Sequence, residues 1–339
     1  MFQCLSQLDG MVVIASVQIS ALWQVKDEVS MMTTISSPLL LRRLSQVMSH
    51  LVVAVIALVV IGGATRVMEA GLACPDWPLC FGTFLPGRQM NLQVFLEWFH
   101  RLDAFIIGVA LLMATVATVV RRHLLPGWLP LVCFGLVVLV AMQGGLGALT
   151  VVQLLPSAIV TAHLALALTL VVLLSGLTQR LLDPVMAWGP LWWRALSGLA
   201  LAAVFGQCLL GGRMATSWAA QRCLASGESC RWLAIHRSGA MPAAGLVLLF
   251  VVVALLAGGW SRSQWPGLLS AGALVAVQIA LGVFALRLGL AEPLVTVAHQ
   301  AVAALLVAVL AALAARGPVS LREHAPELTQ PVVLDACHG

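Results

Sequence analysis

The sequence predicts an all-α integral membrane protein in which eight transmembrane helices form two tandem four-helix bundles. Hydrophobic residues make up 61% of the 339 residues and charged residues only 9%, whereas soluble domains are about half apolar and about a quarter charged. Eight segments are long and apolar enough to cross the hydrocarbon core of a bilayer, which takes about 20 helical residues. The chain has no Tyr, which excludes mechanisms that use a tyrosyl radical or a phenolic acid.

Four regions are predicted along the chain. Residues 1–44 form a leader, which is weakly amphipathic or disordered, or which results from a misassigned start codon, since it lacks the features of a signal peptide. Residues 45–180 form the first four-helix half, residues 190–316 the second half, and residues 317–339 a cytoplasmic tail. The predicted spans are, in chain order, 46–65, 98–120, 128–150, 158–179, 191–212, 236–258, 266–287 and 294–315.

Basic residues predict the orientation of the spans. They precede the first span, follow the last and occupy alternate connections, at Arg42, Arg43, Arg121, Arg122, Arg180, Arg194, Arg262, Arg316 and Arg322. With eight alternating spans all of them lie on one side, which the positive-inside rule makes cytoplasmic. Both termini are therefore expected inside, and the loops at 66–97 and 213–235 outside. The net charge of +5 comes mostly from such clusters, so it does not indicate nucleic-acid binding.

The two halves of the chain share a set of landmarks. A His-Arg pair opens the second span of each half, and a His preceded by Ala lies near the start of the fourth span at the same separation. The repeated features are His100 and His236, His163 and His299, QGGLG at 143–147 and QIALG at 278–282, and Gly62-Gly63 and Gly211-Gly212. Because four spans is an even number, the two units run in the same direction. This predicts a parallel repeat with a pseudo-twofold axis along the membrane normal.

The four repeated histidines indicate a cofactor site. An ionisable residue within a membrane span is a functional hypothesis by default, and His100, His163, His236 and His299 all lie near the outer ends of even-numbered spans. Two imidazoles facing each other inside a bundle suit a haem iron with both axial positions filled. Zinc is usually bound by four ligands that include Cys or carboxylate, and each half contains only two such His and at most one nearby Glu. Interfacial histidines bonded to backbone carbonyls would also fit one such residue, but the repeated spacing favours haem.

One carboxylate distinguishes the two halves. Glu97 lies three residues before His100, so the two side chains share a helix face. Leu233 occupies the corresponding place before His236. This asymmetry predicts that the first half reacts and that the second half stores or passes electrons. The alternative is that Glu97, at the boundary of its span, is an exposed loop carboxylate.

Five further polar side chains have candidate roles. Arg66, Arg101 and Arg237 lie at the outer face, where Arg is a natural bidentate partner for the propionates of a haem. Snorkelling toward the membrane interface is the alternative role for each of them. Gln143 and Gln278 lie within spans, and we expect them to form hydrogen bonds between helices.

Each predicted outer loop carries two cysteines. Cys74 and Cys80 lie in GLACPDWPLCFG, on the side of the membrane where disulfides form, and the bends at proline can bring their Cα atoms within range. Such a disulfide would hold the loop as a lid over the first histidine pair, or exchange electrons with external thiols. The same two cysteines could instead be free thiols or a purely structural clip. A disulfide between Cys223 and Cys230 is also expected, although that loop lacks the Pro-Asp-Trp-Pro core.

The motifs GGATRVMEAGLACPDWPLCFG, EWFHR, TAHLALAL, IHRSGA and VAHQAVAALL together resemble the haem A synthase family over about residues 45–315. The resemblance implies an eight-helix enzyme of the bacterial inner membrane that oxidises the C8 methyl of haem O to a formyl group, which makes haem A for terminal oxidases. It also implies that haem O binds in the half containing Glu97, His100 and His163. A resident haem b would lie between His236 and His299, and the carboxylate would assist water or proton transfer at the methyl group.

The resemblance also bears on partners and competing functions. The implied substrate is haem O, and haem O synthase is a possible partner. The protein is surrounded by membrane lipid and requires an electron acceptor, which the resemblance does not identify. Nucleic acid is not expected as a partner. A di-haem cytochrome b that carries electrons from quinol explains the four histidines equally well, but neither Glu97 nor the cysteine loop. A transporter built from parallel repeats would need polar residues at the midplane, whereas this sequence places them at the outer rim.

Overall fold

A computed structural model describes residues 37–182, 189–216, 231–260 and 262–318. In these residues eight helices are long and apolar enough to cross a membrane, and no β-strand occurs. The chain is therefore an all-α, multi-pass membrane protein, as predicted. The helices are α1 (Pro38–Val67), α2 (Leu92–Val120), α3 (Leu129–Val152), α4 (Ser157–Leu182), α5 (Leu191–Thr216), α6 (Arg231–Leu256), α7 (Trp265–Arg287) and α8 (Pro293–Arg316).

Helix α1 begins earlier than its predicted span, at Pro38 instead of residue 46. Proline is favoured at the first position of a helix because its missing N–H would be unsatisfied there. Leu41 and Leu44 are buried in the core on one side of this first part, while the two arginines between them are exposed. Only a narrow side of this first part is apolar, so its mean hydropathy is too low to indicate a membrane span. The predicted span therefore began too late. Of the predicted leader and tail, residues 1–36 and 319–339 lie outside the described residues.

Helices α2 and α6 also begin before their predicted spans. Asn91 caps α2, and its side chain accepts a hydrogen bond of 2.9 Å from Val94 N. Helix α6 already includes Arg231, before the predicted start at 236. As a result, the histidines of these helices lie inside regular helix and not at its first residue. The same shift places Glu97 inside α2.

The close-packed core lies toward one end of the bundle. Its main cluster draws buried side chains from all eight helices, including Met48, Leu174, Phe250 and Leu310. In α1, α3, α5 and α7 these side chains come from the earlier part of the helix, and in the other four helices from the later part. We call this the inner end, and the opposite end, where the loop between α1 and α2 lies, the outer end. The halves share this one core, so they are not separate bundles that merely touch.

Glycines bring the two halves into close contact near the outer end. A Cβ atom at Gly63 on α1 would lie 2.2 Å from Gln300 Oε1 on α8. A Cβ atom at Gly212 on α5 would lie 2.6 Å from Leu164 Cδ2 on α4. Gln300 and Leu164 are corresponding residues, because each directly follows a histidine of the fourth helix of its half. These matching contacts support the pseudo-twofold axis, which itself stays a prediction.

Candidate haem site at the outer end of the bundle

The helices bring the four predicted histidines together as two pairs. The ring centroids of His100 on α2 and His163 on α4 are 6.5 Å apart, with an angle of 61° between the ring planes. Those of His236 on α6 and His299 on α8 are 6.4 Å apart, with an angle of 76°. A metal ion about 2 Å from one nitrogen of each of two imidazoles holds their centroids about 6 Å apart. Each pair is therefore spaced for one metal ion between its rings.

Every one of these rings packs against a glycine of the preceding helix. At Gly62, Gly211 and Gly282 a larger residue would press on the imidazole, which gives these glycines of the repeat a steric cause, whereas a Cβ atom at Gly147 would be in ordinary contact. The distances from the position of a Cβ atom at the glycine to His Cε1 are 2.9 Å for Gly62 and His100, 3.4 Å for Gly147 and His163, 2.9 Å for Gly211 and His236, and 3.2 Å for Gly282 and His299.

Glutamines lie one helical turn before three of these glycines. Gln143 Nε2 donates to the backbone oxygen of His163 at 3.0 Å, and Gln278 Nε2 lies 3.1 Å from Nε2 of the His299 ring. These contacts confirm the interhelical hydrogen bonds predicted for both residues. Gln207, which was not predicted from the sequence, lies 3.1 Å from Nδ1 of His236 and donates to its backbone oxygen. Its position four residues before a glycine of the repeat was the signal that could have identified it.

The surroundings of the pairs fit a haem better than a bare metal ion. The buried Nδ1 atoms of His100, His163 and His299 form no hydrogen bond of normal length and angle with the described residues. Across those same residues no group of three or more His, Cys, Asp or Glu side chains could hold a metal ion. Zinc needs more protein ligands than two, whereas a porphyrin brings its own nitrogens and takes two axial ligands from the protein. The main packed core is also displaced toward the other end of the bundle.

Glu97 is a buried carboxylate close to the first pair. It is 4% exposed, and it lies one helical turn before His100 on α2. Its Oε2 accepts a hydrogen bond of 2.8 Å from the backbone N–H of Cys74, and its Oε1 accepts one from Arg101 Nη2. The alternative of an exposed loop carboxylate is therefore wrong, because α2 begins earlier than predicted and the cysteine loop covers this side chain.

The loop that covers Glu97 is closed by a disulfide between Cys74 and Cys80, as predicted. Both cysteines are at most 1% exposed and pack against Val94 of α2. The carboxylate of Asp76 accepts hydrogen bonds from the backbone N–H groups of Phe81 at 2.6 Å and Gly82 at 2.8 Å. Buried cysteines are poorly accessible to external thiols, so the structure favours the lid of the two predicted roles. Its position over the first histidine pair stays a prediction. The predicted pairing of Cys223 with Cys230 lies outside the described residues.

A family model described as "Cytochrome oxidase assembly protein" matches residues 45–311, which include both histidine pairs, Glu97 and the disulfide loop. The chain belongs to this family. A heme A synthase of Shewanella oneidensis is 31% identical over an alignment of 186 residues, with 49% of this chain and 55% of that relative covered. A heme A synthase of Sphingopyxis alaskensis is 30% identical over 320 residues, with 76% of this chain and 87% of that relative covered. The predicted membership of the haem A synthase family is thereby confirmed.

In this member of the family the three predicted propionate partners are placed differently from one another. Arg66, at the end of α1, donates to the backbone oxygen of Ala215 on α5 and so connects the two halves. Arg101 is bonded to Glu97 and to the disulfide loop. Arg237 is exposed on α6. No common position for a propionate emerges from these three side chains, and their role at a haem stays a prediction.

Proposed function

We propose that this protein is a haem A synthase, an oxidoreductase that converts the C8 methyl of haem O to a formyl group. The observation that carries the proposal is the asymmetry between two otherwise matching sites. Both histidine pairs have nearly the same separation, yet among the described residues only the first has a buried carboxylate one turn from a ring. Membership of the family and the names of the relatives support the same conclusion.

In this proposal the first half is the reacting half. His100 and His163 bind haem O as the substrate, and Glu97 lies beside the space between them. Oxidation of a methyl to a formyl group with water as the oxygen source releases four protons to nearby bases and four electrons to the acceptor, so a group that takes up protons assists it. Glu97 fills that role from inside the bundle, where the disulfide loop and α2 exclude bulk water from the carboxylate.

The second half is the resident site in this proposal. His236 and His299 hold a haem b, and a bound haem supplies one-electron chemistry that neither imidazole has alone. Leu233 stands where the first half has Glu97, so this position offers no carboxylate to take up protons. The electron acceptor is a separate partner, and haem O synthase is the expected donor of the poorly soluble substrate. The bacterial inner membrane, with both termini in the cytoplasm, is the proposed location.

A di-haem electron carrier is the less favoured function. It would account for two equally spaced pairs. A carrier would have no use for a carboxylate that is buried at one site and missing at the other. It would also not need a disulfide loop that is hydrogen-bonded to that carboxylate. The relatives from Shewanella oneidensis and Sphingopyxis alaskensis are both named heme A synthase.

Expression in a host that makes haem O but no haem A tests the proposal directly. Haems are extracted from membranes that contain the full chain and are separated by chromatography. We expect haem A to appear, together with a b-type absorbance spectrum from the resident site. Unchanged haem O with an ordinary b-type spectrum would contradict the enzyme and favour the carrier.

A further inference from the structure

Arg101 joins the disulfide loop to Glu97. Its Nη2 donates to Glu97 Oε1, while its Nη1 donates to the backbone oxygens of Asp76, at 2.6 Å, and of Leu79. The planar guanidinium can hold several acceptors at fixed angles, which a lysine ammonium does less well. The guanidinium therefore reaches a side chain of its own helix and two carbonyls of the loop at the same time.

The carboxylate depends on this arrangement for its position. The Cys74 N–H bonds to Oε2, and Arg101 bonds to Oε1, so both oxygens of Glu97 are engaged. The donor of the first bond belongs to the disulfide loop, and the donor of the second is itself tied to that loop. Glu97 is thus oriented by the loop and by Arg101, although it is carried by α2.

The disulfide makes the loop a fixed partner. Asp76 and Leu79, whose carbonyls accept from Arg101, both lie within the ring closed by Cys74 and Cys80. A short loop closed by a covalent bond has few conformations, so its two carbonyls and its Cys74 N–H keep a constant relation to one another. Disulfide, loop carbonyls, Arg101 and Glu97 form one continuous network.

We infer that Arg101 is a positioning residue that locks Glu97 to the disulfide loop, so that the carboxylate keeps a productive orientation beside the first histidine pair. This inference rests on the proposed function. The propionate role expected for Arg101 from the sequence stays a prediction, although three of the five N–H groups of the guanidinium are already committed within the protein. A displacement of about 1 Å at a reacting group can cost about a hundredfold in rate.

Three substitutions in the full-length protein test the inference. Arg101→Gln removes both the charge and the planar set of N–H donors. Arg101→Lys keeps the charge without that planar set, and Arg88→Gln is the matched control. Arg88 is an exposed arginine of the same outer loop, and no contact of its side chain is part of the network. Each variant is expressed in the host that makes haem O but no haem A.

Three quantities are measured for each variant: conversion of haem O at several pH values, the b-type spectrum, and amide hydrogen exchange of the peptide that contains residues 74–80. We expect Arg101→Gln to lose at least about tenfold in conversion, with the b-type spectrum intact and faster exchange in the loop. Arg101→Lys should recover part of the activity with a changed pH profile, because the charge beside Glu97 remains while its geometry differs. Arg88→Gln should match the wild type in all three.

Conversion by Arg101→Gln within about twofold of the wild type would overturn the positioning role. So would a loss of bound haem O with unchanged loop exchange, which would identify Arg101 as a substrate-binding group instead. If the wild type itself made no haem A, the proposed function would fail and the catalytic part of the inference with it. The exchange measurement would then still decide whether Arg101 fixes the loop.

Discussion

Gly62 lies directly against the imidazole of His100, so that a Cβ atom there would come within 2.9 Å of Cε1. Gly211 stands in the same relation to His236, at the same distance. Interiors packed at this density have no space for an added methyl group, so it must displace the ring. The same close contact between glycine and imidazole thus occurs in both halves. A substitution at one of these glycines can displace one histidine ring and leave the other pair unchanged.

Alanine at either glycine should impair one site only. We expect Gly211→Ala to reduce the b-type haem that the purified protein retains. Gly62→Ala should reduce retention and conversion of haem O and leave the amount of extracted haem b unchanged. Haem extraction and absorbance spectra of the purified variants measure both effects.

The matched controls are glycines of the same kind of helix with open space around them. Gly144 on α3 and Gly206 on α5 have nothing within 4 Å of a Cβ position. Gly144→Ala and Gly206→Ala should retain both haems as the wild type does. Equal losses in the control and test variants would mean that general helix packing, and not the seat of the imidazole, is responsible.

Replacing Glu97 by glutamine should abolish most of the conversion while the resident haem stays in place. The amide keeps the shape of the side chain but cannot take up a proton at neutral pH, and such groups contribute about a hundredfold or more to rate. The ratio of haem A to haem O in extracts gives the conversion, and the amount of extracted haem b reports the second site.

Glu69→Gln is the control for this charge change. Glu69 is an exposed carboxylate of the same outer loop, and its removal should leave the conversion unaltered. A Glu97→Gln protein that has lost all haem would show that the carboxylate serves the fold of the site and not the reaction.

Gln207→Leu should weaken the hold on the resident haem. The amide lies 3.1 Å from Nδ1 of the His236 ring, and groups that orient a ligating histidine typically account for about a 10-fold to 100-fold difference in affinity. In α1 the corresponding residue, one turn before Gly62, is already Leu58. Haem retention during detergent washing and the midpoint potential of the b-type haem measure the effect, and exposed Gln153→Leu is the control. An unchanged potential and retention would contradict a role for Gln207 at this ligand.

Serine at both Cys74 and Cys80 should reduce conversion through the same network as Arg101→Gln. Because the two changes loosen one connected structure, their effects should be less than additive when they are combined. Conversion is compared in the serine pair, in Arg101→Gln and in the triple variant. Full activity of the serine pair, with and without reductant, would mean that the disulfide contributes only shape, and strict additivity would mean that the loop and Arg101 act separately.

Sequence patterns were sufficient to locate the helices and to identify the histidines that form pairs. A bilayer requires long apolar helices, because unpaired backbone groups are too costly in lipid, so hydropathy alone located all eight. It located their ends less well, since a helix continues past the apolar stretch wherever a cap or a buried face supports it. Pro38 and Asn91 provide such starts, and both lie outside the predicted spans.

The repeat in the sequence likewise led to His100, His163, His236 and His299, because duplicated spacing places corresponding residues at one depth. It did not show that Glu97 is covered by the cysteine loop, that Arg101 bonds to that loop, or that Gln207 reaches a histidine ring. These facts depend on how each helix is rotated about its axis and how closely it approaches its neighbours. Hydropathy does not encode either quantity, because contacts between helices are set by shape, small residues and hydrogen bonds. The sequence alone thus identified the residues that could bind a haem. Only the packing of the helices decided which of these residues hold one another in place.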